Sequence, residues 1–338
     1  MGLVPPLAIG IDLHRSARRL AGVFILAAAA GCASLMPQTK ELAKGGLPAG
    51  LPERVELSAT PFFPQEKYQC GPAALATLLV SAGAKTTPED LVPQVYVPER
   101  KGSFQVEMLA AARRHGMISY ALAPRFENLL REIAAGTPVV VLQNLGIFTA
   151  GWHYAVAIGY DYPRGTLVLR SGTQEREVMP FGVHEAVWMR GGYWAMVAMP
   201  PDRIPATAEE KSWLNAIAAF ERVGDARAAR TAYEVFVERW PENVNARVGL
   251  ANTHHALGQL AQAEAVLREA VRRDPASVVV LNNLAQTLSD LGRHEEALPV
   301  IERAMAAGGP FTAAVQKTRE TILERLGQRK SGSEPDFR

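Results

Sequence analysis

Three glycines, Gly224, Gly258 and Gly292, stand 34 residues apart, and Ala229, Ala263 and Ala297 repeat the same interval. Pro241 and Pro275 share it, with Pro310 one residue late. A period of that length is one pair of helices, a unit that cannot bury its apolar face alone and must stack on its neighbours. Small residues at fixed places let the two helices of a pair approach closely, and a proline starts the next pair. Residues 206–326 are therefore expected to form an all-α solenoid of three units, about the minimum for a stable stack. Phe311 to Leu326 is expected to close it as a polar-faced capping helix.

The spacings Trp213…Phe220…Ala229…Tyr233…Pro241 and Leu284-Ala285…Leu288…Ala297…Ala304 resemble those of tetratricopeptide repeats. That resemblance implies a concave groove, lined by the first helix of each pair, that holds a protein or an extended peptide. Its groove positions fall on Asn245, Asn252, His255, Asn282 and Gln286. A ladder of side-chain amides can hydrogen-bond a peptide backbone without reading its sequence.

At 338 residues the chain has room for a second domain with its own core. Its 36 basic and 34 acidic side chains nearly cancel, which is not a nucleic-acid-binding balance. No cofactor fingerprint is present, and histidines and cysteines never fall at metal-ligand spacing. The two cysteines, Cys32 and Cys70, stand in unlike settings and are read separately, not as a disulfide.

Cys70 lies in Pro64-Gln65-Glu66-Lys67-Tyr68-Gln69-Cys70-Gly71-Pro72-Ala73, at the mouth of an apolar helical run from Ala73 to Ser81. Unpaired N–H groups at a helix N-terminus favour negative charge. The thiol pKa is accordingly expected below the free value of about 8.5. Gln65 is placed to donate its amide N–H to an oxyanion, with Gln69 a poorer candidate. His153 opens the apolar strand Trp152-His153-Tyr154-Ala155-Val156-Ala157-Ile158-Gly159-Tyr160-Asp161 and is the expected base. His184 is the alternative base, in a setting that reads as a helix surface.

Further local signals fill in the domain. Thr87-Pro88 starts a helix and Ser103 is expected to cap another. Ile118 to Leu122 reads as a strand, Phe126 to Ala135 as a helix, and Val139 to Leu142 as a buried strand. His153–Tyr160 and Thr166–Leu169 form a hairpin, and Tyr193–Ala198 a last strand that closes the sheet. Helices come first and antiparallel strands second, an α+β layout over residues 56–201.

Gln65, Cys70 and His153, in that chain order, resemble the papain-like cysteine peptidases and more closely the bacteriocin-processing (double-glycine leader) family. The likeness extends through Phe181, Trp188 and Gly192-Tyr193-Trp194. It implies a papain-like fold and acyl transfer, with Cys70 as nucleophile, His153 as general base and acid, and Gln65 in the oxyanion hole. The family orients its histidine with an aspartate or asparagine at the end of the strand after the hairpin. Here that place reads Leu169-Arg170-Ser171-Gly172, so Ser171 stands where the carboxylate is expected. Asp161 lies at the far end of the histidine's own strand, roughly 25 Å away. A serine hydroxyl can fix the imidazole tautomer but cannot stabilise imidazolium by charge. Two readings follow: a cysteine peptidase (or acyltransferase using the same thiol), or a peptidase fold without turnover that serves as an envelope scaffold.

The N-terminal region reads as an export signal. Arg15, Arg18 and Arg19 precede an apolar run, Leu20 to Ala30, that ends in Gly31-Cys32-Ala33-Ser34. Ala29-Ala30-Gly31-Cys32 resembles a bacterial lipobox, although Ala29 stands where leucine is usual. The resemblance implies lipidation of Cys32 and, with Ala33 next, the periplasmic face of the outer membrane. Residues 33–55, rich in proline and glycine and including Gly45-Gly46, read as a tether, and 327–338 as a disordered tail. The expected partners are a peptide or protein substrate, a protein in the repeat groove, and the membrane through Cys32.

Overall fold

The computed structural model describes residues 36–65, 69–146 and 151–331. Cys32 and the export-signal region lie outside the described residues. The first elements are α1 (Pro37–Gly45), β1 (Arg54–Glu56), α2 (Cys70–Ser81) and α3 (Pro88–Val95). A small hairpin, β2 (Tyr96–Val97) and β3 (Gly102–Ser103), precedes α4 (Gln105–Arg114), β4 (Ile118–Ala121) and α5 (Phe126–Ala134). Then come β5 (Val139–Asn144), β6 (Trp152–Asp161), β7 (Thr166–Ser171), β8 (Gln174–Pro180), α6 (Phe181–Arg190) and β9 (Ala195–Met199). The repeats follow as α7 (Glu210–Glu221), α8 (Ala226–Arg239), α9 (Val244–Ala256), α10 (Leu260–Arg273), α11 (Val278–Asp290), α12 (His294–Ala307) and α13 (Thr312–Ser331). No described helix is long and apolar enough to cross a membrane.

Several local expectations meet their physical cause. Thr87 and Asp90 cap α3 reciprocally, each side chain accepting from the other's backbone N–H. In α5 the residues Phe126, Leu129, Leu130 and Ile133 are buried at helical spacing. Ala229, Ala263 and Ala297 are fully buried where the helices of each pair meet.

Four expectations are corrected. Ser103 caps nothing: it belongs to β3, and α4 begins at Gln105 with no side-chain cap. The tether contains α1, and the tail's first residues extend α13 to Ser331. The strand after Tyr193 does not close the sheet at an edge. It starts at Ala195 and slots between β4 and β5, because Ala-Met-Val-Ala-Met is apolar on both faces and needs cover on both.

The sheet runs β4-β9-β5-β6-β7-β8, all neighbours antiparallel, with β1 added to β6. Leu142, Tyr154, Val156 and Ile158 face a core built with α2, α3 and α4. Val141, Ala155, Ala157 and Leu169 face the other core, with α5 and α6. That second core continues without a break through Trp213, Phe220, Tyr233 and Phe236 of the first repeat to Leu250. The repeats are therefore mounted on the sheet domain, with Trp213 packed edge-on against Tyr120 at 5.6 Å.

Two buried carboxylates hold the borders of the domain. Glu185 on α6 accepts from the N–H groups of Gln38 and Thr39, capping α1 from outside. Glu132 on α5 accepts from Ala206 N (3.3 Å), Thr207 N (2.7 Å) and Thr207 Oγ1 (2.6 Å), clamping the segment that leads into the repeats. Glu132→Ala leaves those donors unsatisfied and is expected to cost about 3 kcal/mol of unfolding free energy, with Glu132→Gln losing less. Denaturant midpoints of the three proteins check this; equal midpoints would mean that apolar packing alone holds the joint.

Candidate active site

Cys70 is the first residue of α2, whose next residues, Gly71 to Leu79, are all buried. Gly71 is required there: a Cβ would stand 2.2 Å from Ser103 Oγ, so the β2–β3 hairpin seats directly on the first turn of the helix. Around the thiol the N–H groups of Tyr154, Gly71 and Cys70 itself favour the thiolate. Burial is the larger effect and pushes the thiol above its ordinary value. The expectation of a lowered pKa from the helix terminus is thus corrected: at rest desolvation wins.

Gln65 is tied down at both ends. Its backbone N–H donates to Gly172 O at 3.1 Å, and its side-chain Nε2 to Tyr154 O at 3.3 Å. The backbone of Tyr154 is where the predicted residues gather: its carbonyl holds Gln65, its N–H faces the thiol, and the preceding residue is His153. Tyr154 itself fixes the hairpin, donating from its hydroxyl to Ser103 O at 3.1 Å.

His153 stands opposite Gln143 in the β5–β6 register and shares the sheet face of Ala155. Its Nε2 lies 3.0 Å from Ser171 Oγ, the place where the sequence lacks a carboxylate. Burial lowers the imidazole pKa, and so favours the neutral ring, while the charge of Glu177 raises it. Thiol and imidazole are therefore both held toward their neutral forms, and among the described residues no hydrogen bond joins them. Asp161 is remote: it pairs with Arg54 at 3.1 Å.

His184 does not lie on a helix surface. It is fully buried, stacked on Trp188, with Nδ1 3.2 Å from Gln143 Nε2 and a pKa pushed down to about 3. It is a neutral core residue. Gly45-Gly46 ends α1, which packs on α5 and α6, across the sheet from α2.

Glu177 was not singled out from the sequence. It pairs with Leu169 across β7–β8, two residues along β7 from Ser171. Its signal was faint, because Gln174-Glu-Arg-Glu-Val-Met-Pro reads as a charged surface, and the segment is an edge strand.

In the repeats the five groove positions are largely engaged with one another's neighbours. Asp290 gathers His255 (2.8 Å), Gln286 (3.0 Å) and Arg325 of α13 (2.7 Å). Asn252 accepts from Asn283 at 3.0 Å, and Asn282 donates to Asn283 at 3.3 Å, while Asn245 is exposed. Among the described residues no group of three or more His, Cys, Asp or Glu is placed to hold a metal ion.

Removing the charge of Glu177 takes away the influence that opposes burial. Glu177→Gln is expected to lower the His153 pKa further, moving its titration to more acidic pH; Glu177→Asp should shift it less. Histidine NMR titration, with His153→Gln to assign the resonance, checks the sign. An unmoved His153 titration would mean that Glu177 does not act on the ring.

Residues 58–194 match the Peptidase_C39 like family. Residues 214–278 and 258–319 match two tetratricopeptide-repeat families. Among solved structures, a putative C39-like peptidase from Bacillus anthracis is 19% identical, covering 44% of this chain and 98% of that one, with a TM-score of 0.39. The TPR2B domain of yeast Sti1, in a complex with pHsp70, is 16% identical, covering 34% and 97%, with a TM-score of 0.33. The chloroplastic PsbD mRNA maturation factor Nac2 of Chlamydomonas reinhardtii is 33% identical over 87 residues, 26% of this chain but only 6% of that protein's length. The chain thus joins a Peptidase_C39-like domain at residues 58–194 to a run of tetratricopeptide repeats.

Proposed function

We propose that the chain is a cysteine peptidase acting by thiol acyl transfer, exported and lipid-anchored through Cys32 at the bacterial cell envelope, on the periplasmic face of the outer membrane. Its repeats hold a protein partner or substrate. The observation that carries the catalytic reading is that Gln65 and Cys70 both meet the backbone of Tyr154, next in the chain to His153, whose ring is held by Ser171.

With Nε2 donating to Ser171, the imidazole presents Nδ1 as the base. To reach the thiol the ring must swing round the open end of β6, since strand alternation directs His153 to the sheet face opposite α2. Both groups start neutral, so the reaction begins by general-base catalysis and not from a preformed ion pair. Sγ bonds to the substrate carbonyl carbon as its proton passes to His153. The oxyanion is held by the Cys70 N–H and by Gln65 once its amide turns from Tyr154 O, about 3 kcal/mol for one donor. The C–N bond then breaks, His153 protonates the leaving amine, and water hydrolyses the thioester through the same imidazole.

The absent Cys70–His153 hydrogen bond and the serine at position 171 favour a second reading, an adaptor that has kept the fold and lost turnover. An activated acyl donor separates the two. Incubation with a blocked peptide p-nitrophenyl ester, followed by intact-mass measurement, is expected to show one acyl group, absent in Cys70→Ala. Its formation should slow by about 100-fold or more in His153→Ala. The rate should fall as pH drops through the lowered His153 pKa, because the base must be neutral. Acylation unaffected by His153→Ala would establish the adaptor reading.

A further inference from the structure

The thiol opens onto a cleft of about 560 Å³ whose floor includes Leu142 and Tyr154. One wall is the β2–β3 hairpin and the residue after it, with Arg100, Lys101 and Phe104 facing the space; the other carries Trp152. None of the described lining residues is acidic, although two are cationic. Arg100 is exposed and makes no ion pair among the described residues; its guanidinium is held 5.2 Å over the Phe104 ring. Phe104 and Trp152 are themselves 39% and 57% exposed, far more than large aromatic rings in the core. The one carboxylate on the hairpin, Glu99, is exposed at its tip and does not line the cleft.

A planar cation fixed against a ring without a carboxylate partner is a group prepared for an anion. Arginine does this better than lysine because its fork is pre-organised. The hairpin cannot easily drift, since Tyr154 bonds Ser103 O and Gly71 seats Ser103 against α2. We infer that the hairpin wall is a substrate subsite for an acidic side chain of a peptide, lying beside the scissile bond, with an apolar neighbour against Trp152. This inference rests on the peptidase reading and names the substrate class of that same site.

Binding to the full chain carrying Cys70→Ala tests it without turnover. Three sets of blocked octapeptides, leucine- and alanine-rich and fluorescently labelled, carry one Asp, Asn or Lys at each position in turn; anisotropy gives their affinities. At its best position the Asp peptide is expected to bind about fivefold more tightly than Asn, with Lys weaker still, and the difference should shrink at high salt. In the Arg100→Glu/Lys101→Glu protein the order should reverse. Affinities that ignore charge, an order unchanged by the double substitution, or no binding by any set would overturn the subsite. Charge-blind binding beside intact acylation of the wild type removes the subsite and leaves the peptidase standing. A charge preference without acylation does the opposite.

Discussion

The site depends on how β6 alternates at its open end. Its partners β5, β7 and β1 fix the strand in register, so Tyr154 is directed to the α2 side and His153 to the α5–α6 side. A slip of one residue would exchange them, sending the imidazole into the apolar core beneath α2 and the tyrosine toward Ser171. The register is held at the far end as well. There β6 carries an irregularity between Ala157 and Gly159, and a Cβ on Gly159 would stand 2.6 Å from Val55 O, so only glycine lets β1 approach. His153 and Tyr154 at one end of the strand are held in register with the help of a missing side chain at the other.

At the thiol two effects oppose each other, and their ranking decides the resting state. N–H groups of a helix terminus act over about one turn and stabilise the anion, whereas burial removes the water that would solvate it. Here Gly71 draws Ser103 and the hairpin onto the helix mouth, so the packing that builds the cleft wall also desolvates Cys70. The imidazole is subject to the same rule with opposite sign. Burial of a thiol raises its pKa and burial of an imidazole lowers it, so one dry environment keeps both uncharged.

Much of this was legible in the chain. The 34-residue period named the solenoid because each unit repeats the same packing problem, and small residues must recur where helices cross. Gln65, Cys70, His153 and Ser171 were singled out, and the fold brings Gln65, Cys70 and the His153–Ser171 pair around Tyr154. What was not legible depends on distant contacts. The segment after Cys32 looked like a tether because α1 has no buried residue of its own; it is held by a carboxylate about 147 positions away. His184 looked exposed because Val183 and Glu185 flank it, yet Glu185 is itself buried under α1. The interior place of β9 and the reach of Glu177 are facts of strand order, which local pattern does not encode.

Two buried carboxylates pin the segments at either border of the sheet domain. Glu185 fixes the segment that leads from the proposed anchor, and Glu132 fixes the segment that leads into the repeats. Between them the core of the sheet's α5–α6 face runs on into the first repeat, with Trp213 as its bridge. A flexible linker would present a bound partner to the cleft over a wide range of positions, at an effective concentration that falls with linker length. Here the sheet domain and the first repeat share an apolar core instead. Asp290 gathers His255, Gln286 and Arg325, so any ligand bound at the expected groove positions would have to exchange these bonds for its own. Such an exchange would favour a ligand that supplies hydrogen-bond partners of its own over one that only fills space.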